Sequence, residues 1–215
     1  MKNIDWNEIW KEEQNCNIAS GSGRECWYAW NDEADAKDYL AMSKNRLASQ
    51  DRVEDLCSVV KPDWRVLDIG AGPGNIAIPL SKKTAHVTAV EPAVGMASVL
   101  KEQIDFLNIK NIRLIPKRWD DIDPSFDLTP PYELSFASFS LGMLDLKASI
   151  KKMIAVTSKE IVLFWHAGPQ AWDLDSLVLW PLLHGREFTP IPKSDVVFNL
   201  LYSLGIYPDV KVLRY

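Results

Sequence analysis

From Arg65 onward, short runs of Val, Ile, Leu and Phe alternate with longer segments whose apolar residues return every three or four positions. The short runs predict strands at Arg65–Ile69, His86–Glu91, Ile112–Ile115, Leu134–Phe139, Glu160–Trp165 and Val210–Arg214. Their near-continuous apolar content suits strands covered on both faces. The longer segments predict helices at Asn75–Lys82, Val94–Leu107, Leu146–Val156 and Ser194–Leu204. Ser194 and Asp195 offer an N-cap for the last of these, and Gly205 stands where a C-cap belongs. Regular alternation of the two patterns specifies an α/β fold with a doubly wound, mostly parallel sheet.

The first 60 residues read differently. Ile4–Glu13 and Ala34–Leu56 carry helical periodicity and are joined through a Gly- and Ser-bearing turn at Ala19–Gly23. Residues 1–60 are therefore expected to form a helical cap belonging to the same unit as residues 61–215. Residues 166–193 interrupt the alternation with prolines and aromatics between a strand and a helix. Connections longer than about 12–15 residues in a compact domain are usually functional or disordered. The apolar character of this one points to an ordered lid.

Composition narrows the class. A chain of 215 residues with 47% hydrophobic and 25% charged content builds one sizeable core, which excludes a disordered or fibrous protein. The net charge of −5 gives no general attraction for polyphosphate, which disfavours a nucleic-acid partner. The start, Met1–Trp6, has no apolar core of a signal peptide, and the apolar run Leu177–Leu183 is too short to span a bilayer. Cys16, Cys26 and Cys57 form no C-x-x-C pair and leave one odd thiol, so neither a disulfide framework nor a metal site is expected, and a cytoplasmic setting is.

The most informative stretch is Val66-Leu67-Asp68-Ile69-Gly70-Ala71-Gly72-Pro73-Gly74-Asn75. A strand enters, three alternating glycines turn the chain and allow a ligand close to the backbone, and a helix begins. Helix N-termini offer unpaired N–H groups that suit an anion. Dinucleotide enzymes favour G-x-G-x-x-G, whereas the spacing here is G-x-G-x-G with Asp68 two residues before it. A carboxylate repels a phosphate but attracts an ammonium or sulfonium. Glu91 closes the second strand about 20 residues further on, the place of an acid that accepts hydrogen bonds from ribose hydroxyls.

Over roughly Arg65 to Trp165 these residues resemble the class I (Rossmann-like) S-adenosylmethionine-dependent methyltransferases. The resemblance implies strand order 3-2-1-4-5-7-6 with the cofactor across the carboxyl ends of strands 1, 2 and 4. It implies that Gly70, Ala71 and Gly72, with Gly74 and Asn75 following, line the methionine part and that Asp68 faces the amino group. Glu91 would hold the ribose, Pro92 and Met96 would border the adenine, Trp119 would pack on the ring, and Asp120 would accept from the exocyclic amine. Ser138 and Phe139 would touch the methionyl chain and the donor methyl. Two features depart from the family. Pro130-Pro131-Tyr132 precedes the fourth strand and follows Thr129 rather than Asn or Asp, so it reads as a rigid turn. The last family strand has no residues after Tyr215, which suggests truncation or another element in its place.

A sulfonium methyl is already electrophilic, so such a site works by orientation and needs no metal. If the acceptor is a hydroxyl, His166 and His184 are candidate general bases; each is also a plausible structural histidine. Trp27, Tyr28, Trp30, Trp172 and Trp180 either wall an apolar acceptor pocket or simply pack the cap. The reading is methyl transfer to a small molecule. A methyltransferase-like binding module without catalysis and a protein-methylating enzyme are its alternatives, and a nicotinamide-dependent oxidoreductase is disfavoured by Asp68 and the glycine spacing.

Overall fold

The computed structural model describes residues 4–43 and 47–213. The chain divides into two compact units, one made of Met1–Cys26, Leu141–Ser149 and Trp165–Val212, the other of Trp27–Ser140, Ile150–Phe164 and Leu213–Tyr215.

The larger unit holds the sheet. Five parallel strands, β1 (Arg65–Ile69), β2 (His86–Val90), β3 (Ile112–Ile115), β4 (Tyr132–Ser138) and β5 (Thr157–Phe164), stand in the order β3-β2-β1-β4-β5. The register sets Ile69 beside Val90 on one side and beside Ala137 on the other. The order reverses between β1 and β4, and ligands of open α/β sheets bind beyond the strand carboxyl ends at such a switch point. Apolar runs explain the placement: Val66, Leu67, Val87, Ala89, Leu134 and Phe136 are fully buried. All of them but Leu67 join Leu56, Trp64 and Leu100 in one core cluster.

Helices flank these strands. In this unit α2 (Glu33–Ser43) and α3 (Leu47–Val59) take the place of the single helix expected over Ala34–Leu56, residues 44–46 lying outside the described residues. Next come α4 (Ala77–Ser81) and α5 (Val94–Phe106), which agree with the sequence pattern to within two residues at each end. The amino ends of β4 and β5 lie earlier than expected because polar side chains pair there. Tyr132, fully buried, donates its hydroxyl to Thr88 Oγ1 at 3.1 Å, and Thr157 and Ser135 share a hydroxyl hydrogen bond of 2.6 Å.

The smaller unit contains α1 (Trp6–Ser20), α7 (Ala171–His184) and α8 (Ser194–Ser203), and α6 (Leu146–Val156) begins in it. Asp5 caps α1 by accepting from the N–H of Asn7 and Glu8, and the helix runs seven residues past the expected Glu13 before Gly21 ends it. The segment expected as a lid is ordered, and its central part is α7. Gln170 and Asp173 form a reciprocal capping box at its start, and Gly185, in the left-handed conformation, closes it. Asp173 is fully buried and paired with Lys193 at 2.6 Å. The N-cap of α8 is Lys193 rather than Ser194 or Asp195, while Gly205 takes a positive φ just beyond the helix, as expected.

One expected element is corrected. Of Val210–Arg214 the described part, 210–213, forms no strand. Val210 and Val212 are more than 60% exposed, and β-propensity reflects fit to a half-buried pleated surface that this segment does not have. Among the described residues no helix is long and apolar enough to cross a membrane.

Candidate functional site

β1 delivers Asp68 and Ile69 to the glycine turn at the carboxyl end of the sheet. Gly70, Gly72 and Gly74 all have positive φ, at 75°, 55° and 91°. At Gly70 the requirement is double, since a Cβ there would lie 2.2 Å from Ser140 Cβ. Ser140 also donates its hydroxyl to the carbonyl of Ile69. The chain leaving β4 thus presses on the chain leaving β1. A Cβ at Gly72, by contrast, would meet nothing within 4 Å.

Glu91, one residue beyond β2, ties the second strand to this turn. Its Oε2 accepts from the N–H of Gly72 at 2.7 Å and its Oε1 from the N–H of Ala93 at 2.8 Å. Gly70 and Ala71 both donate to the carbonyl of Val90. Glu91 is buried, and burial raises its pKa against the opposing pull of the two N–H groups. Asp68 is buried as well, and its Oδ2 has no hydrogen-bond partner. Burial first and the Glu91 charge second push Asp68 well above the ordinary carboxylate range. An unsatisfied buried acceptor costs about 1–3 kcal/mol and more when charged. Two such acids side by side at a glycine turn suit a ligand that brings positive charge and hydrogen-bond donors.

The flanks follow. Pro92 is partly exposed, while Met96 is buried in a small cluster with Ala36, Ala93 and Val99. Asn75 donates to Ser43 Oγ at 2.9 Å, which binds the turn to the end of α2. Trp119 and Asp120 lie in a 3₁₀ turn after β3, the indole buried and the carboxylate exposed beside the Arg118 guanidinium at 3.1 Å. Ser138 ends β4. Phe139 follows in the left-handed conformation, φ 55°, with its N–H donated to the carbonyl of Phe164. A non-glycine residue there costs about 1–2 kcal/mol, a strain characteristic of functional turns. The Arg52 guanidinium stands 4.6 Å over the Phe139 ring.

The other sequence-predicted residues have different surroundings. Trp30 packs on Tyr39 at 5.0 Å and against the Met96 cluster, and Trp27 packs on Tyr28. These three share the unit of the glycine turn. Trp172, Trp180, His166 and His184 belong to the smaller unit. There Trp172 and Trp180 gather on Phe188, and Trp180 donates to the carbonyl of Ser20. The His184 ring lies 4.1 Å from that of Trp180 in the last turn of α7. His166 packs on Trp165, and its carbonyl accepts from Ser194. Arg52 and Lys152 join the surroundings of the site without a sequence signal, because each arrives from a distant element, whereas Ser140 adjoins the expected Ser138 and Phe139. No cluster of three or more metal-ligating side chains exists among the described residues.

The chain is similar to several known proteins. Residues 66–160 match a family model described as a methyltransferase domain. An uncharacterized protein of Haemophilus influenzae is 30% identical over 155 residues, 72% of this chain and 55% of that protein. A ribosomal RNA small subunit methyltransferase A of Alkaliphilus metalliredigens is 23% identical over 80% of this chain and 67% of that one. The chain thus spans between about half and two thirds of the length of these curated relatives. A magnesium protoporphyrin IX methyltransferase from Synechocystis PCC 6803, solved with bound S-adenosylhomocysteine, shares the fold with a TM-score of 0.59. That match is at 14% identity and covers 94% of this chain and 89% of that one. Residues 66–160 thus match a methyltransferase domain, and the chain shares the fold of the class I, Rossmann-like S-adenosylmethionine-dependent methyltransferases.

Proposed function

We propose that the protein binds S-adenosylmethionine at the glycine turn and transfers its methyl group to a small-molecule acceptor. The observation that carries this reading is the buried, unpartnered Oδ2 of Asp68 beside Glu91, behind a turn whose central position at Gly72 is open. The bound cofactor would supply an electrophilic methyl on sulfur. Asp68 accepts from the amino group, and its negative charge is offset by the ammonium and sulfonium. Glu91, already oriented by Gly72 and Ala93, has a second lone pair on each oxygen for the ribose hydroxyls. Gly70, Ala71, Gly72, Gly74 and Asn75 form the wall along the methionyl chain, with Ser138 and Phe139 opposite. Pro92, Met96 and Trp119 provide the apolar border of the adenine, and Asp120 accepts from its amine. The protein's contribution to rate is to orient the acceptor and exclude water, which can supply about 7–11 kcal/mol of the barrier.

The acidic balance of the chain, pI near 5.3, supports a small acceptor over RNA. The likeness to a ribosomal RNA methyltransferase is what favours the second reading, RNA methylation. The test supplies cofactor carrying a labelled methyl together with a metabolite extract and a total RNA and protein fraction. Label in the low-molecular-weight fraction is expected, and label only in macromolecules contradicts the small-molecule reading.

A further inference from the structure

Lys152 lies on α6, outside every motif discussed above, and its ammonium is directed at one short stretch of backbone. Nζ donates to the carbonyls of Trp119 at 2.8 Å, Asp120 at 3.1 Å and Ile122 at 2.9 Å. It also stands 5.2 Å from the centroid of the Trp119 ring. An ammonium has three N–H donors, so all three are engaged by a single turn of four residues. That turn is rich in negative charge, and Asp120, Asp121, Asp123 and Asp127 all act electrostatically on the lysine. The turn has backbone hydrogen bonds of its own, from the N–H of Ile122 to the Trp119 carbonyl and from that of Asp121 to the Arg118 carbonyl. The ammonium adds a donor to each of three carbonyls and so further fixes the peptide planes from Trp119 to Ile122, the base from which the Asp120 side chain projects.

We propose that Lys152 is a positioning residue that selects a 6-aminopurine at this site: it holds the Trp119–Asp121 turn so that Asp120 can accept from the exocyclic amine. The inference rests on the reading of Asp120 as the adenine acceptor. It concerns specificity, because a group that fixes an acceptor's direction governs discrimination between ligands that carry and lack the matching donor. Lys152 touches no ligand itself; it works through the turn.

The experiment measures the affinity of S-adenosylhomocysteine and of S-inosylhomocysteine, in which an oxo group replaces the 6-amino group, for the wild type and Lys152→Met. The wild type is expected to prefer the adenosyl compound by about ten-fold or more, the range of a hydrogen bond to a charged acceptor. In Lys152→Met the preference should fall to two-fold or less, while the affinity for the inosyl compound changes little. A purely structural lysine would weaken both ligands together and leave the ratio intact, and an intact ratio overturns the proposal. Lys152→Gln, which keeps two donors, is expected to give an intermediate ratio and serves in the same way if the methionine variant does not fold. A wild type that binds the adenosyl compound without discrimination removes the Asp120 assignment and the proposal together. A wild type that binds neither removes the cofactor reading itself.

Discussion

Gly72 gives its backbone N–H to Glu91 Oε2 at 2.7 Å, so the tip of the glycine turn and the end of the second strand are held by one carboxylate. The second oxygen of Glu91 holds Ala93, the residue that opens α5. One side chain therefore ties the glycine turn to the start of α5.

Replacing that side chain should cost binding more than folding. Glu91→Ala is expected to weaken S-adenosylmethionine by roughly 1.5–3 kcal/mol, the range for a hydrogen bond to a charged group. Calorimetric titration measures this directly, and an unchanged affinity contradicts the ribose assignment.

Asp68 makes affinity and stability respond to pH in opposite senses. Its folded pKa lies above its unfolded value because of burial and the neighbouring Glu91 charge. The stability it contributes is therefore complete below the unfolded pKa and is lost as pH rises through the folded one, so the unliganded protein is less stable near neutrality than in mild acid. A cationic ligand needs the ionised form, so affinity should fall as pH drops, beginning above the ordinary carboxylate range. Asp68→Asn is expected to flatten that dependence, to bind S-adenosylmethionine at least about ten-fold more weakly, and to raise the unliganded melting temperature at neutral pH. Thermal unfolding and titrations across pH check all three, and a wild-type affinity independent of pH speaks against the role of Asp68.

Gly70 and Gly72 separate a structural requirement from a binding one. Gly70→Ala combines a left-handed backbone, costing about 1–2 kcal/mol, with a Cβ 2.2 Å from Ser140 Cβ. It is expected to destabilise by more than 2 kcal/mol in urea unfolding, about the upper end of the backbone penalty, with Gly70→Ala/Ser140→Gly recovering the overlap part only. Gly72→Ala meets no neighbour, so it should cost only about 1 kcal/mol of stability. It should nonetheless weaken S-adenosylmethionine markedly, because its methyl enters the open space of the turn. Equal effects of the two substitutions on binding and stability would count against that division.

In the smaller unit, Asp173 is fully buried against Lys193. Removing one member of a buried pair leaves a charge without compensation, at about 3–5 kcal/mol. Lys193→Met should destabilise on that scale, and Asp173→Asn/Lys193→Met should regain most of it. A small loss in the single variant would mean that solvent screens the pair.

Much of this was legible in the chain because the relevant signals are local. Asp68, the three glycines and Glu91 fall within one strand–turn–helix–strand passage, so their meeting requires only that adjacent strands pair. β1, β2 and β4 were legible from the apolar runs that two covered faces demand, and β3 and β5 from similar runs although part of each is exposed. Alternating valines misled at Val210 and Val212, which stay exposed in a segment that forms no strand. α7 was hidden by Pro181, which the helix accommodates one turn before its end. Arg52 and Lys152 were invisible for a different reason: each reaches the surroundings of the site from an element far away in sequence, and no spacing rule reports such an approach. Trp30 was legible as an aromatic, but its place against Tyr39 and the Met96 cluster depended on how α2 and α5 pack.

The most direct trial is a pair of calorimetric titrations of the unmodified protein at neutral pH, one with S-adenosylmethionine and one with NAD. Saturable one-to-one binding of S-adenosylmethionine with no heat from NAD is the expected outcome. Binding of the dinucleotide, or no binding of the sulfonium, would mean that the two buried carboxylates do not form a site for a cationic nucleoside.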